Sequence, residues 1–236
     1  FGSVTLLTFR RMDEAITPAI MVKKQVATPE ALANLKVAES LRDCRLVDFK
    51  SVMEDKRRIW TFMEHMTGDC RKMPLARRQE HAAAFAQFLE DTLNCLMRAG
   101  ASFGDMKLAN CAFRYCATGP EFRLIDVDGV NAEYATFPAF PDWQDGSTVP
   151  ADLTAETRYA FGVTAMLFER DNDAFKPFYW RRMASPRMRE ALLLAHADRT
   201  PTPKIRSLIL EHAIPVLRMR NPPPLPVISE PVSPEP

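Results

Sequence analysis

The chain has 236 residues, of which 47% are hydrophobic and 26% charged, and its 31 basic side chains nearly balance its 30 acidic ones. This length and apolar fraction are typical of a folded protein with one large domain or two small ones. The net charge of +1 gives no overall electrostatic basis for nucleic-acid binding, and no apolar run reaches the roughly 18 residues that a membrane-spanning helix needs. The sequence begins without an initiator methionine or a signal peptide, so we interpret it as a segment of a longer protein whose targeting cannot be judged.

The first 70 residues are predicted to form mainly strands. Residues 1–26 alternate polar and apolar positions around a charged turn, which predicts a pair of strands. Thr28-Pro29-Glu30 then supplies an N-cap, a proline at the first helical position and an acidic first turn, so a helix is expected to run from here towards Asp43. Two short strands are predicted around residues 45–52 and 58–63.

The pattern changes to helical spacing after about residue 76. Apolar residues recur at intervals of three and four, and Gly100 is placed to end the helix that they form: Ala82, Phe85, Leu89, Leu93 and Leu96. A loop over residues 103–110 is expected to lead into two short strands at 111–115 and 122–125. Residues 131–153 are interpreted as an ordered loop, and residues 155–217 as helices.

Residues 221–236 are rich in proline and are predicted to form a disordered, solvated tail. Two alternatives give the tail a partner. Pro223-Pro224-Leu225-Pro226 could dock in an aromatic groove of the SH3 type, and Ser233 before Pro234 could be phosphorylated.

The five cysteines lack the spacing of a metal site, and their odd number leaves at least one thiol without an internal partner: Cys44, Cys70, Cys95, Cys111 and Cys116. Mostly reduced thiols in a cytoplasmic or nuclear protein are the simpler interpretation. One or two disulfides in a luminal protein of the secretory pathway are the alternative.

The order of elements predicts an α+β protein, in which a small strand-rich lobe with one helix is followed by a connector near residues 64–70 and a larger helical lobe. A cleft between two such lobes is where a ligand is expected to bind.

The residues at 103–110 and 124–129 have the side chains that phosphoryl transfer needs. Asp105 can accept the proton of an attacking hydroxyl, Lys107 can neutralise charge on the transferred group, and Asn110 and Asp126 can hold Mg²⁺ through oxygen atoms. A hairpin between Asn110 and Asp126 would bring both to the mouth of one cleft.

This pattern resembles a protein kinase domain. Asp105-x-Lys107-x-x-Asn110 is similar to the catalytic loop, and Asp126-Val127-Asp128 stands where the Asp-Phe-Gly motif would be. Further segments match in chain order: Phe1-Gly2-Ser3-Val4 (glycine-rich loop), Ala19-Ile20-Met21-Val22-Lys23 (lysine strand), Met63-Glu64-His65-Met66 (hinge), Tyr159-Ala160-Phe161-Gly162-Val163 (central helix) and Asp198-Arg199-Thr200-Pro201-Thr202 (segment before the last helix). The resemblance implies a bilobal fold with an N-lobe over 1–66, truncated within its glycine-rich loop, and a C-lobe over 67–220.

The resemblance also implies that ATP and Mg²⁺ bind in the cleft. Lys23 would hold the ATP phosphates and would itself be held by a helix glutamate, for which Glu39 is preferred over Glu30. Backbone groups of Glu64 and Met66 would pair with adenine. The ring would lie between the side chains of Val4 and Ala112.

Four positions depart from the kinase pattern. Phe103 replaces a histidine, and Gly104 replaces the arginine that reads a phosphate on the activation loop, so activation of that kind is not expected. Asp128 replaces a glycine, and Thr157 stands where the central helix carries an aspartate.

The leading functional hypothesis is a divergent Ser/Thr-type protein kinase with Asp105 as catalytic base. Asp126-x-Asp128 is also similar to the divergent secretory-pathway kinases related to the "deleted in autism" protein. The alternatives are a pseudokinase that acts as a scaffold, and a small-molecule phosphotransferase of the aminoglycoside or choline kinase type.

Overall fold

The structure is a computed structural model that describes residues 3–7, 20–54, 57–103, 105–130, 153–170 and 186–220. Within these residues the protein is a mixed α+β structure. The predictions for Phe1 and Gly2, for the arginine replacement at Gly104, for the loop over 131–152 and for the tail over 221–236 lie outside the described residues.

A four-stranded antiparallel sheet forms the first part of the chain, in the order β1-β2-β4-β3. Its strands are β1 (Ser3–Leu7), β2 (Ile20–Val26), β3 (Phe49–Glu54) and β4 (Arg58–Glu64). The predicted strand pair is thus confirmed, whereas β3 begins four residues later than the expected start at Arg45. The reason is local: Arg45 has a left-handed backbone with φ 59°, and Leu46 forms only an isolated bridge to Leu124.

Helix α1 (Pro29–Ser40) begins where the sequence predicts. The Thr28 hydroxyl accepts a hydrogen bond from the Ala31 N–H at 3.1 Å and so satisfies one of the unpaired donors at the helix start. Leu35 and Ala38 are buried on the inner face of the helix. Helix α1 packs against the short 3₁₀ turn Val127–Gly129. It therefore lies beside the segment that carries Asp126.

A second, three-stranded antiparallel sheet contains β5 (Gly68–Asp69), β6 (Cys111–Cys116) and β7 (Gly119–Leu124). The β6–β7 hairpin turns through only two residues, so β7 starts earlier than expected. Its end is fixed to the segment before β3, because Leu124 exchanges backbone hydrogen bonds with Arg45 (2.9 Å) and Val47 (2.8 Å).

The remaining described residues are mostly helical: α2 (Leu75–Glu80), α3 (Ala82–Arg98), α4 (Leu153–Glu169), α5 (Pro186–Ala197), α6 (Pro203–Ser207), a π-helical turn (Leu208–Ala213) and α7 (Ile214–Arg220). Phe85 of α3 stacks on Phe168 of α4 with 3.7 Å between ring centroids. Gly100 (φ +64°) ends α3 as predicted, since its N–H bonds to Met97 and that of Ala101 bonds to Leu96.

One disulfide joins Cys44, after α1, to Cys95 in α3. Cys70 and Cys111 are buried free thiols, and Cys116 is an exposed one. The structure therefore contains the single disulfide that the sequence left open as an alternative. Among the described residues, no helix combines the length and apolar composition that crossing a bilayer requires.

Candidate functional site

A cavity of about 730 Å³ lies between the inner face of the first sheet and the β5–β7 sheet. A volume of this size is in the usual range for small-molecule sites. Of the ten predicted site residues, eight line it: Lys23, Glu64, Met66, Asp105, Lys107, Asn110, Ala112 and Asp126. The tertiary structure thus brings together residues more than 100 positions apart in the chain, as the Lys23–Asp126 separation of 103 illustrates.

Asp126 directly follows the β6–β7 hairpin and forms an ion pair with Lys23 of β2. Its backbone is left-handed, with φ 65° and ψ 48°. A left-handed backbone is unfavourable for a residue other than glycine, and such residues often occur at functional sites. The preceding Ile125 N–H bonds to the Asn110 carbonyl at 2.8 Å, so the hairpin holds Asn110 and Asp126 beside each other, as the sequence predicted.

The loop that leads into β6 gathers Asp105, Lys107 and Asn110. Lys107 Nζ lies 2.5 Å from Asp105 Oδ2, and Asn110 Nδ2 donates to the same oxygen at 3.0 Å and to the Asp105 carbonyl at 2.8 Å. The other carboxylate oxygen, Asp105 Oδ1, is buried and has no hydrogen-bond partner among the described residues. The carboxylate is therefore oriented by two donors through one oxygen, while its other oxygen accepts no hydrogen bond from the described residues.

Helix α4 anchors the start of this loop. The Phe103 N–H donates to the Thr157 hydroxyl at 3.2 Å, and both residues are buried. Phe103 also packs close to Gly129, where an added Cβ would lie 3.5 Å from the ring. The threonine thus accepts a backbone hydrogen bond from the start of the loop that carries Asp105, and the phenylalanine ring supports the turn after Asp126.

The residues that could hold a metal are Asn110 and Asp126. Asn110 directs its Nδ2 towards Asp105, which leaves the amide oxygen as the acceptor of that side chain. A carboxylate and an amide oxygen are ligands that suit Mg²⁺, which usually takes few protein ligands and completes its shell with water and phosphate oxygens. Across the described residues, no group of three or more His, Cys, Asp or Glu side chains could hold a metal by itself.

The segment after β4 forms the opposite end of the cavity. Met66 and Ala112 are buried, and the Met66 N–H has no backbone partner within the part of the chain that the structure describes. The Glu64 carboxylate is engaged by Arg114 at 2.6 Å and by the Asp48 N–H at 3.0 Å. The Glu64 N–H donates to the Asp48 carbonyl at 2.9 Å, so neither the carboxylate nor the N–H of Glu64 is open to a ligand. Val4 lies opposite Lys23 in the β1–β2 register.

The predicted ion pair between Lys23 and Glu39 is not formed. Glu39 is exposed and does not line the cavity, and Glu30 is exposed as well. The rotation of α1 about its axis explains why Glu39 does not reach Lys23. The buried face of the helix is occupied by Asn34, Leu35 and Ala38. Among the described residues Lys23 instead pairs with Asp126.

Four polar residues that line the cavity were missed by the sequence analysis as site residues: Gln25, Thr28, Asp69 and Lys72. Gln25 could have been found from its spacing, since it follows Lys23 by two positions and alternate residues of a strand share a face.

No protein-family model and no curated protein sequence matches this chain. Its function is therefore inferred from its own residues and their geometry.

Proposed function

We propose that the chain is an ATP-dependent phosphotransferase with a bilobal, protein kinase-like architecture, and that its substrate group is a protein hydroxyl. The observation that carries this proposal is the convergence of Lys23, Asp105, Asn110 and Asp126 on one cavity. The division into an N-lobe over 1–66 and a C-lobe over 67–220 belongs to the same proposal.

Asp105 acts as the base in the proposed mechanism. Its Oδ2 is held by Lys107 and Asn110, so the unpartnered Oδ1 can accept the proton of a substrate hydroxyl as that hydroxyl attacks the γ-phosphorus of ATP. Lys107 lies close enough to Asp105 to place a positive charge beside the transferred group. The bond to the β-phosphate oxygen breaks, and ADP leaves.

Lys23 and Asp126 hold the phosphates and the metal in this proposal. Asn110 and Asp126 would hold Mg²⁺, which would neutralise charge on the phosphate oxygens. Lys23, paired with Asp126 in the structure, supplies a cation from the opposite wall. The adenine would lie at the other end of the cavity, against Ala112 and the backbone of Glu64 and Met66.

The buried, unpartnered oxygen of Asp105 favours an enzyme over a pseudokinase scaffold. A carboxylate oxygen without a partner costs free energy in the resting protein, and a purely structural residue gains nothing from that cost. Lys107 favours a protein kinase over a small-molecule phosphotransferase. The resemblance of this chain to the small-molecule enzymes is weakest at that position.

The Cys44–Cys95 disulfide is informative about the cellular compartment of the protein. Disulfides persist in oxidising compartments, so Cys44–Cys95 favours the luminal alternative over a cytoplasmic or nuclear location. We include this location in the proposal.

Nucleotide binding is tested by thermal unfolding with ATP and Mg²⁺. The wild type should be stabilised by about 2.7 kcal/mol at a ligand concentration 100 times the Kd, and Asp126→Ala should lose the metal-dependent part of this effect. Asp198→Ala is the matched control, because Asp198 is exposed and does not line the cavity. No nucleotide effect on the wild type would instead support the scaffold.

Catalysis is tested by transfer of radiolabelled phosphate to a generic protein acceptor. Asp105→Asn should lower incorporation about 10²- to 10⁴-fold, the usual contribution of a positioned base, and should still bind ATP. Asp198→Asn should match the wild type. Equal incorporation by wild type and Asp105→Asn would show that Asp105 is not the base.

A further inference from the structure

Gln25 carries a buried amide nitrogen that has no hydrogen-bond partner in the part of the chain that the structure describes. The side chain lines the same cavity as Lys23. An amide donor without a partner destabilises the folded protein, so such a group in a cavity wall calls for a physical explanation. A ligand with an acceptor at this position would provide the missing partner.

The sheet register places Gln25 at a defined end of the cavity. Ile20 of β2 pairs with Glu64, Met21 with Met63, and Lys23 with Thr61. Moving along β2 away from Glu64 therefore passes first Lys23 and then Gln25. At about 3.3 Å per residue, the Cα atoms of Lys23 and Gln25 lie about 6.6 Å apart, and their side chains share one face of the strand.

Gln25 lines the cavity together with Thr28 and Ala31 at the start of α1. The Thr28 hydroxyl accepts the hydrogen bond from the Ala31 N–H, and Thr28 is exposed rather than buried. The amide of Gln25 is thus the unpartnered buried donor that this end of the cavity offers within the described residues.

We propose that Gln25 binds the terminal phosphate of a nucleoside triphosphate and makes the cavity prefer triphosphates to shorter nucleotides. This inference rests on the proposed function. If the adenine ring of the nucleotide binds at Glu64 and Met66, its phosphate chain extends along β2 and passes Lys23. Lys23 then holds the inner phosphates, and the amide of Gln25 donates to an oxygen of the outermost one.

The test compares wild type with Gln25→Met, which keeps the length of the side chain and removes the amide. ATP affinity should fall about tenfold or more, as expected for the loss of a hydrogen bond to a charged group. AMP affinity should stay unchanged. The unfolding free energy of the nucleotide-free protein should stay the same or rise, because a buried donor without a partner has been removed.

Gln87→Met is the matched control. Gln87 lies in α3 away from the cavity, and its Nε2 donates to Asp91 at 2.7 Å. This variant should lose stability and keep wild-type affinity for both nucleotides. It separates the loss of a structural amide from the loss of a ligand-binding one.

Each other outcome overturns a specific claim. A wild type that binds neither nucleotide refutes the proposed function itself. If the wild type binds ATP, then equal effects of Gln25→Met on ATP and AMP, no effect on ATP, or a less stable nucleotide-free variant refutes the role of Gln25 alone.

Discussion

Glu169 is a buried carboxylate at the end of α4 that joins three segments of the helical region. It accepts hydrogen bonds from His196 Nε2 at 3.0 Å and from the hydroxyls of Thr200 and Thr202, both at 2.5 Å. Burial by itself raises the pKa of Glu169, but the hydrogen bonds from these three residues outweigh burial and hold the pKa below its usual value. The ionised form is therefore the one that stabilises the fold.

We expect Glu169→Gln to lower the free energy of unfolding by about 1–3 kcal/mol at neutral pH, the cost of disturbing a buried charged hydrogen-bond network. Because the pKa of Glu169 is lowered in the folded state, its contribution is complete above the unfolded value of about 4.3 and is lost as the pH falls through the lower folded value. The difference between wild type and variant should therefore shrink below about pH 4.3.

Urea unfolding between pH 3 and pH 7 measures this difference. Glu80→Gln provides the control, because Glu80 is exposed and pairs with Arg77 on the surface, where an ion pair contributes roughly 0–1 kcal/mol. A difference for Glu169→Gln that does not change with pH would contradict the role assigned to the ionised carboxylate.

Helix α4 depends on a close approach to the π-helical turn at Leu208–Ala213. A Cβ added at Gly162 would lie 2.7 Å from the Ala213 Cβ and 2.9 Å from the Leu208 carbonyl oxygen. Both neighbours belong to buried residues. The glycine thus serves helix packing, even though it is a poor helix former.

Gly162→Ala should therefore destabilise the protein. The gain in helix propensity of about 1 kcal/mol is smaller than an overpacking cost of about 1–3 kcal/mol, because a contact between two rigid atoms cannot relax by side-chain rotation. Thermal unfolding measures the net change. Gly68→Ala, where the nearest atoms lie 3.6 Å from the added Cβ, should change the Tm less, and equal or higher stability of Gly162→Ala would refute the packing argument.

The Cys44–Cys95 disulfide connects the end of the α1 segment to α3 across 51 residues of sequence. It therefore restrains the first sheet and its helix relative to the helical region. The chain-entropy treatment gives about 4 kcal/mol for a loop of this length. Urea unfolding of Cys44→Ser/Cys95→Ser should show a loss of this size, and a reductant should destabilise the wild type but not the double variant.

Thiol counting provides an independent check of the same disulfide. Without reductant, the denatured wild type should react at three thiols, and the native protein chiefly at the exposed Cys116. Burial is the main cause that raises the pKa of both the Cys70 and Cys111 thiols, which suppresses their reactive thiolate form. Five reactive thiols in the denatured, unreduced protein would contradict the disulfide.

The sequence by itself determined the α+β class, the start of α1 at Thr28, the end of α3 at Gly100 and the pairing of Asn110 with Asp126 at one hairpin. These features follow from local chemistry: a capping hydroxyl, a glycine that tolerates positive φ, and a short hairpin whose two ends must lie together. Such signals lie within a few residues of the structure that they specify.

Only the tertiary structure decided which side chains meet across the cavity. It paired Lys23 with Asp126 and left Glu39 exposed. It also joined two of five cysteines and, within the described residues, left the Gln25 amide nitrogen without a hydrogen-bond partner. These outcomes depend on how α1 is rotated against its neighbours and on contacts between distant segments. Both are set by packing of the whole core, which local sequence patterns do not contain.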